Sequence, residues 1–167
     1  MAKLSYLTVP DFLWLNLELT KENQIYSYAK LEEAVFCQYS YGTSHDLPRQ
    51  AARLVHGFHR LRPFVVGNDG CGFVGLLVFL KMNHLELSLE PHEALEWFKH
   101  VSSDEVAGYD EIVIRGRESH DHHETGVKSA ALEVIARYGE VLESLLEHEE
   151  RVPLAMIANS RLTGEHR

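Results

Sequence analysis

The sequence feature that most constrains the fold is an apolar stretch in the middle of the chain. Between residues 73 and 82, only Gly75 and Lys81 are not large apolar residues. A helix that is apolar on nearly every side has to be buried on nearly every side. We therefore predict a buried central helix around which the rest of the chain is arranged.

A glycine-rich segment precedes this stretch. The helix before it is expected to end near Leu61, because Pro63 disfavours helical angles at Arg62. The predicted loop, residues 63–72, holds three glycines within six positions: Gly67, Gly70 and Gly72. Such a loop presents free backbone N–H groups at the positive end of the next helix dipole. It predicts an anion or nucleotide site, with Arg60 and Arg62 as cationic support. The candidate binding residues are Arg62, Gly67, Asn68, Asp69 and Gly70; a simple connection between two helices is the alternative.

Helical spacing of apolar residues predicts further helices on both sides, and hence an all-α fold. N-capping residues mark several starts: Thr8, Asp46 and either Ser103 or Asp104. The predicted helices cover about residues 9–20, 27–38, 47–61, 73–82, 91–101, 105–115 and 126–149. The alternation of residues 37–42 predicts a short β-like flap, with a polar loop carrying two packed tyrosines as the alternative. Residues 84–89 also alternate.

Length and composition indicate one ordinary globular domain, residues 1–167. The net charge of −9 argues against non-specific nucleic-acid binding, although a local basic patch remains at Arg53, His59, Arg60 and Arg62. No apolar run reaches about 18 residues, so no membrane span or membrane partner is expected. The start of the chain lacks a signal-peptide pattern, and two cysteines are too few for a disulfide framework. We expect a cytoplasmic protein.

Residues 62–70 read Arg-Pro-Phe-Val-Val-Gly-Asn-Asp-Gly, and VFLKMNHLEL follows at 78–87. This order resembles the Fic/Doc (Fido) family, most closely its Doc (death-on-curing) branch, whose motif is His-Pro-Phe-x-(Asp/Glu)-Gly-Asn-(Gly/Lys)-Arg. The upstream LPRQAARLVHGFHRLRPF and the N-terminal YLTVPDFLWLNLELT also fit, so the resemblance covers about residues 5–100. It implies a helical bundle around a buried central helix, with a flap over the site. It also implies transfer of AMP or phosphate from a nucleotide to a protein hydroxyl.

The chemical half of this motif is missing here. The family's catalytic histidine is replaced by Arg62, which stays protonated and cannot act as a general base. Its metal-holding acid is replaced by Val66, which cannot ligate Mg²⁺. Its basic positions are replaced by Asp69 and Gly70, and Asp69 would repel a polyphosphate. The retained positions are Pro63 and Phe64, which are structural, together with a turn glycine, Gly67, and a polar loop residue, Asn68. We expect no cofactor and no metal.

These departures lead to a first hypothesis and two alternatives. The first is a degenerate, catalytically inactive Doc-like protein that binds a protein partner, as in a toxin–antitoxin pair, or a second copy. The flap or the additional C-terminal helix, residues 126–149, would make the contact. The second is an altered transferase using ATP and Mg²⁺, with Arg62 holding a phosphate and His56 or His59 as the base. The third is an unrelated helical bundle.

Three further groups are weaker candidates. Cys71 lies near the first turn of the central helix, where the dipole favours a thiolate; a packed, inert thiol is the alternative. His56 and His59, three residues apart, could both face the loop or bind a metal with a third ligand. His120, Asp121, His122, His123 and Glu124 form a possible metal cluster, for which a solvated loop is the simpler interpretation.

Overall fold

The computed structural model describes residues 3–40, 45–119 and 126–157. The described residues form eight longer helices and two strands in chain order: α1 Val9–Thr20, α2 Tyr28–Phe36, α3 Leu47–Leu61, α4 Asn68–Met82, β1 Leu85–Leu87, α5 Pro91–Ser103, α6 Glu105–Arg115, β2 Gly116–Glu118, α7 Val127–Arg137 and α8 Gly139–His148. A single helical turn follows at residues 154–157. The strands form one two-stranded antiparallel sheet. The predicted all-α fold with a short β element is confirmed. None of the helices described is both long and apolar enough to cross a membrane.

The predicted central helix is α4, and it is buried along most of its length. Twelve of its 15 residues are buried, including every residue from Gly70 to Leu80. Helices α1, α3, α7 and α8 all pack against it. At Gly75, an added Cβ would lie 2.7 Å from Phe12 Cε1 on α1. The missing side chain therefore lets α1 pack closely on the middle of α4.

The capping residues set the helix starts as predicted. Thr8 and Asp11 form a reciprocal capping box at α1, in which each side chain accepts the other residue's backbone N–H. The Asp46 side chain accepts the backbone N–H of Arg49 at 3.3 Å. These bonds satisfy donors that the first turn of a helix leaves without partners. The sequence thus determined where these helices begin.

The β element does not lie where the flap was predicted. Residues 37–38 form a turn, residues 39–40 belong to no strand, and residues 41–42 of the predicted arm lie outside the described residues. The cause is Gln38, whose buried side chain bonds both the N–H and the C=O of Leu7, at 2.8 and 2.7 Å. These bonds draw the segment into the core. The sheet forms instead between β1, in the alternating segment after α4, and β2, which follows α6.

The additional C-terminal helix predicted over residues 126–149 is two helices, α7 and α8. The break falls at Tyr138, whose φ of −110° is not helical, and Gly139 follows it with a low helix propensity. The Tyr138 hydroxyl donates a 2.6 Å bond to the Leu89 carbonyl, which fixes the ring in the body of the protein. The apolar face packs on α4 and α5 within the chain.

Candidate functional site

The connection between α3 and α4 is shorter than the sequence predicted. The central helix begins at Asn68, so Gly70 and Gly72 are helical residues and the predicted extension of the loop to residue 72 is wrong. Gly67 is the N-cap with φ 94°, a left-handed conformation in which glycine avoids a side-chain clash. At the other end, Arg62 also turns left-handed, with φ 47°, just ahead of Pro63. These two residues reverse the chain direction between the helices.

The interior of this loop is filled by its own side chains. Phe64 and Val65 are only 1% and 3% exposed. Asn68 is also buried: its side-chain oxygen accepts the N–H of Phe64 at 2.9 Å, and its amide nitrogen donates to the Phe64 carbonyl at 2.8 Å. The Val66 carbonyl accepts a bond from Asn16 at 3.0 Å. Asn68, predicted as an anion ligand, is therefore occupied in holding the loop.

The free N–H groups at the start of α4 bind a carboxylate of the chain itself. Glu149 Oε2 accepts the N–H of Gly67 at 2.5 Å, and Glu149 Oε1 accepts the N–H of Asp69 at 3.0 Å. Arg62 Nη2 donates to the same Oε1 at 2.8 Å. The Glu149 side chain is only 1% exposed. Two amides, a guanidinium and a helix dipole together make a carboxylate site, which Glu149 fills.

Glu149 belongs to a segment that covers the loop, residues 149–157, which we call the C-terminal strap. The Val152 N–H donates a hydrogen bond to the Val65 carbonyl at 2.9 Å. Val152 and Ile157 pack on Val65 in a small apolar cluster apart from the main core. The place of Glu149 in this site could not be predicted, because an acidic residue after a helix carries no signal of its long-range partner.

Arg62 lies between two carboxylates. Its Nη1 is 3.3 Å from Asp69 Oδ1, and His59 Nδ1 lies 3.9 Å from the same oxygen. Burial tends to raise the pKa of Asp69, but His59 and Arg62 outweigh burial and lower it below its ordinary range. Burial raises the pKa of Glu149, with the nearby Asp69 charge adding to it, despite the opposing amide of Gly67. Arg62 therefore neutralises the carboxylates of Asp69 and Glu149 within the fold.

The two histidines of α3 face different neighbours. His56 Nδ1 lies 2.9 Å from the Ser102 carbonyl at the end of α5, so the prediction that both face the loop is wrong for His56. His59 lies beside Asp69 on the wall of a half-open cavity of about 350 Å³. Phe98, Leu145 and His148 line other walls of this cavity. The cavity flanks the start of α4 and does not include Arg62 or Asn68 among its lining residues.

The prediction of a reactive thiol at Cys71 is wrong. Cys71 is fully buried, and burial raises the pKa of its thiol far above its ordinary range. The helix dipole cannot compensate, because the thiol lacks the solvent that a thiolate needs. The cluster at residues 120–124 lies outside the described residues. Among the described residues, no three His, Cys, Asp or Glu side chains are placed to hold a metal ion.

Comparisons with protein-family models, with curated proteins and with solved structures find no match for this chain. The Fic/Doc resemblance therefore rests on the residues quoted above.

The raised pKa of Glu149 predicts a pH dependence of stability. Its carboxyl binds a proton more tightly in the folded chain than in the unfolded chain. This contribution is complete below the unfolded pKa of about 4.3 and is lost as the pH rises through the higher folded value. The free energy of unfolding of the wild type, relative to Glu149→Gln, should therefore fall as the pH rises from the unfolded pKa through the higher folded pKa of Glu149. Urea titrations of both proteins measure it; a constant or rising difference would contradict the assignment.

Proposed function

We propose that this chain is a non-catalytic binding protein on a degenerate Fic/Doc-like scaffold, and that it binds its partner at the start of α4. The observation that carries this proposal is the Glu149 carboxylate held by two backbone amides and Arg62. A site that holds one carboxylate in this way can hold another of the same chemistry. The C-terminal strap then acts as a cover that a partner displaces.

The residues around this site support binding more than group transfer. Arg62 cannot accept a proton, and it already neutralises Asp69 and Glu149. Val66 offers only its backbone carbonyl, which Asn16 occupies. Asp69 adds a negative charge where a polyphosphate would need a positive one. The positions that would perform the chemistry are therefore used to hold the fold together.

The strap indicates the chemistry of the partner. It provides an acidic side chain for the amides, and three residues later a backbone N–H and an apolar side chain for Val65. We propose a protein partner with an acidic, partly extended segment of this pattern. An antitoxin-like protein is the kind of partner that the Doc resemblance suggests. The two free cysteines fit a reducing, cytoplasmic compartment.

A peptide with the strap sequence tests this proposal. In Glu149→Ala, the two amides lose their carboxylate, so the full-length variant should bind a synthetic peptide of residues 149–157 in trans. Wild type should bind the same peptide at least about tenfold more weakly, because its own strap competes at high effective concentration. Isothermal titration calorimetry measures both affinities, and amide chemical shifts of Gly67 and Asp69 locate the peptide.

The matched control is the same peptide with alanine in place of its first glutamate. It keeps the apolar contacts and loses only the carboxylate, so it should bind Glu149→Ala at least about tenfold more weakly, as expected for a charge-assisted hydrogen-bonded group. Equal binding of the two peptides would overturn the carboxylate site. Absence of binding by either would overturn the proposal that the strap can be replaced.

One observation favours a second candidate function, a nucleotide-dependent AMP or phosphate transfer with altered chemistry. The cavity of about 350 Å³ lies directly beside the start of α4 and is lined by His59, which could act as the base. Thermal unfolding of the wild type and of Glu149→Ala, with and without ATP and Mg²⁺, separates the two functions. The binding proposal expects no shift. A Mg²⁺-dependent rise in Tm would favour the enzyme instead.

A further inference from the structure

Among the described residues, strand β1 is paired with another strand on one side only. It pairs with β2 so that Leu85 lies opposite Glu118 and Leu87 opposite Gly116. The bonds that flank the ladder run from Ser88 N–H to the Arg115 carbonyl and from Ser119 N–H to the His84 carbonyl, both at 2.9 Å. Backbone groups alternate in direction along an antiparallel strand. Those of residues 84, 86 and 88 therefore point towards β2, and those of the odd-numbered residues point away from it.

The direction of the odd-numbered residues is fixed by Leu89. Its carbonyl accepts a 2.6 Å bond from the Tyr138 hydroxyl and a 3.4 Å bond from Arg137, both at the end of α7. By the same alternation, the N–H and C=O groups of Leu85 and Leu87 face the α7 side. In the described part of the chain, no hydrogen bond to these four groups is found. They form a free strand edge.

A groove lies along this edge. Its volume is about 240 Å³, and Leu77 of α4 and Val134 of α7 line it together with β1. Tyr138, whose hydroxyl bonds to the Leu89 carbonyl, and the ion pair between Lys81 and Glu133 also line the groove. An added strand would lie about 4.8 Å from β1, with its side chains alternating between the two faces of the sheet.

From this geometry we propose that β1 binds an extended peptide of a partner protein as an added antiparallel strand. Peptide residues opposite Leu85 and Leu87 share their face, towards Leu77 and Val134, and should be apolar. The residue between them lies beside the exposed carboxylate of Glu86, and should be basic. The peptide pattern is therefore apolar–basic–apolar, and the net charge of −9 favours approach of a basic segment.

This surface is separate from the site of the proposed function. The strap binds at the first residue of α4, whereas the groove lies beside its last turn at Lys81. At about 1.5 Å of rise per residue, the length of α4 places roughly 20 Å between them. A negative result for one site therefore does not affect the proposal for the other site.

The test uses the full-length protein and the peptide acetyl-Thr-Val-Lys-Val-Thr-amide, followed by amide hydrogen exchange. In the free protein, the amides of Leu85 and Leu87 should exchange fast and that of Glu86 slowly. Saturating peptide should slow Leu85 and Leu87 at least about tenfold, because each then donates a hydrogen bond. No protection at peptide concentrations that saturate any observed binding would overturn the proposal. Protection that appears with protein concentration alone would assign the edge to a second copy and overturn it too.

Two matched comparisons distinguish strand addition from non-specific binding of the peptide. N-methylation of a valine in the peptide removes an N–H that faces β1, so it should weaken peptide binding at least about tenfold. N-methylation of the lysine removes an N–H that faces away from β1, so it should leave the affinity unchanged. In the protein, Glu86→Lys should weaken peptide binding about fivefold. Glu118→Lys makes the same charge change on β2 and should weaken binding less than about twofold. Equal effects within either pair would overturn the proposed register.

Discussion

Replacing Phe73 by alanine is expected to lower the free energy of unfolding by about 4 kcal/mol. Phe73 is fully buried on α4, and its ring meets those of Phe98 and Tyr138 edge to face, at 5.5 and 5.2 Å between centroids. Truncation removes both aromatic contacts and leaves a cavity where α4, α5 and the junction of α7 and α8 meet. Urea denaturation followed by circular dichroism measures the change.

The matched control is Phe36→Ala at the end of α2. Phe36 is 46% exposed, so the same truncation should cost less than about 1 kcal/mol. Both variants should keep the wild-type dependence of unfolding free energy on urea, because the surface exposed on unfolding hardly changes. A loss of less than about 1 kcal/mol in Phe73→Ala would mean that this part of the core is not close-packed.

Replacing Arg62 by methionine is expected to cost about 3 kcal/mol, because two largely buried carboxylates lose their shared cation. Arg62 bridges Asp69 at 3.3 Å and Glu149 at 2.8 Å, and the Glu149 side chain is almost wholly buried. Methionine keeps a long unbranched side chain at this position and removes only the charge and the donors. The strap should then detach, so the amides of Gly67 and Asp69 should lose protection from hydrogen exchange.

Arg60→Met is the control for that substitution. Arg60 is an exposed residue of the same helix, so its replacement should change stability by less than about 0.5 kcal/mol and leave both amides protected. If Arg62→Met weakened stability while the two amides stayed protected, the role of Arg62 would be restricted to Asp69. If it caused no loss, the charge arrangement described for this site would be wrong.

Local signals in the sequence predicted most of the helical architecture. The apolar composition around Phe73 predicted a buried α4, and side-chain caps such as Thr8 and Asp46 predicted helix starts, because both effects act within a few residues. The flap was misplaced because Gln38 bonds to Leu7, a partner 31 positions away in the chain. The break at Tyr138 was missed because the apolar spacing continues unchanged across it.

The candidate site was predicted only in part. The turn at Gly67 and the arginine beside it were readable from glycine, proline and charge in one short segment. The occupant, Glu149, comes from more than 80 residues further along, and nothing in its neighbourhood indicates that contact. The inward turn of Asn68 and the burial of Cys71 are likewise consequences of packing, which a linear pattern does not specify.

Because Glu149 lies late in the chain, the two halves of this site are synthesised at different times. Its amide donors belong to Gly67 and Asp69, whereas the carboxylate that fills them is 80 to 82 residues later in the sequence. At about 5–20 residues per second, the ribosome needs on the order of ten seconds to make that interval. During this time α3 and α4 have already been synthesised, whereas the C-terminal strap has not. If the proposed partner is present at the nascent chain, it therefore meets the start of α4 before the strap exists, and no displacement is needed.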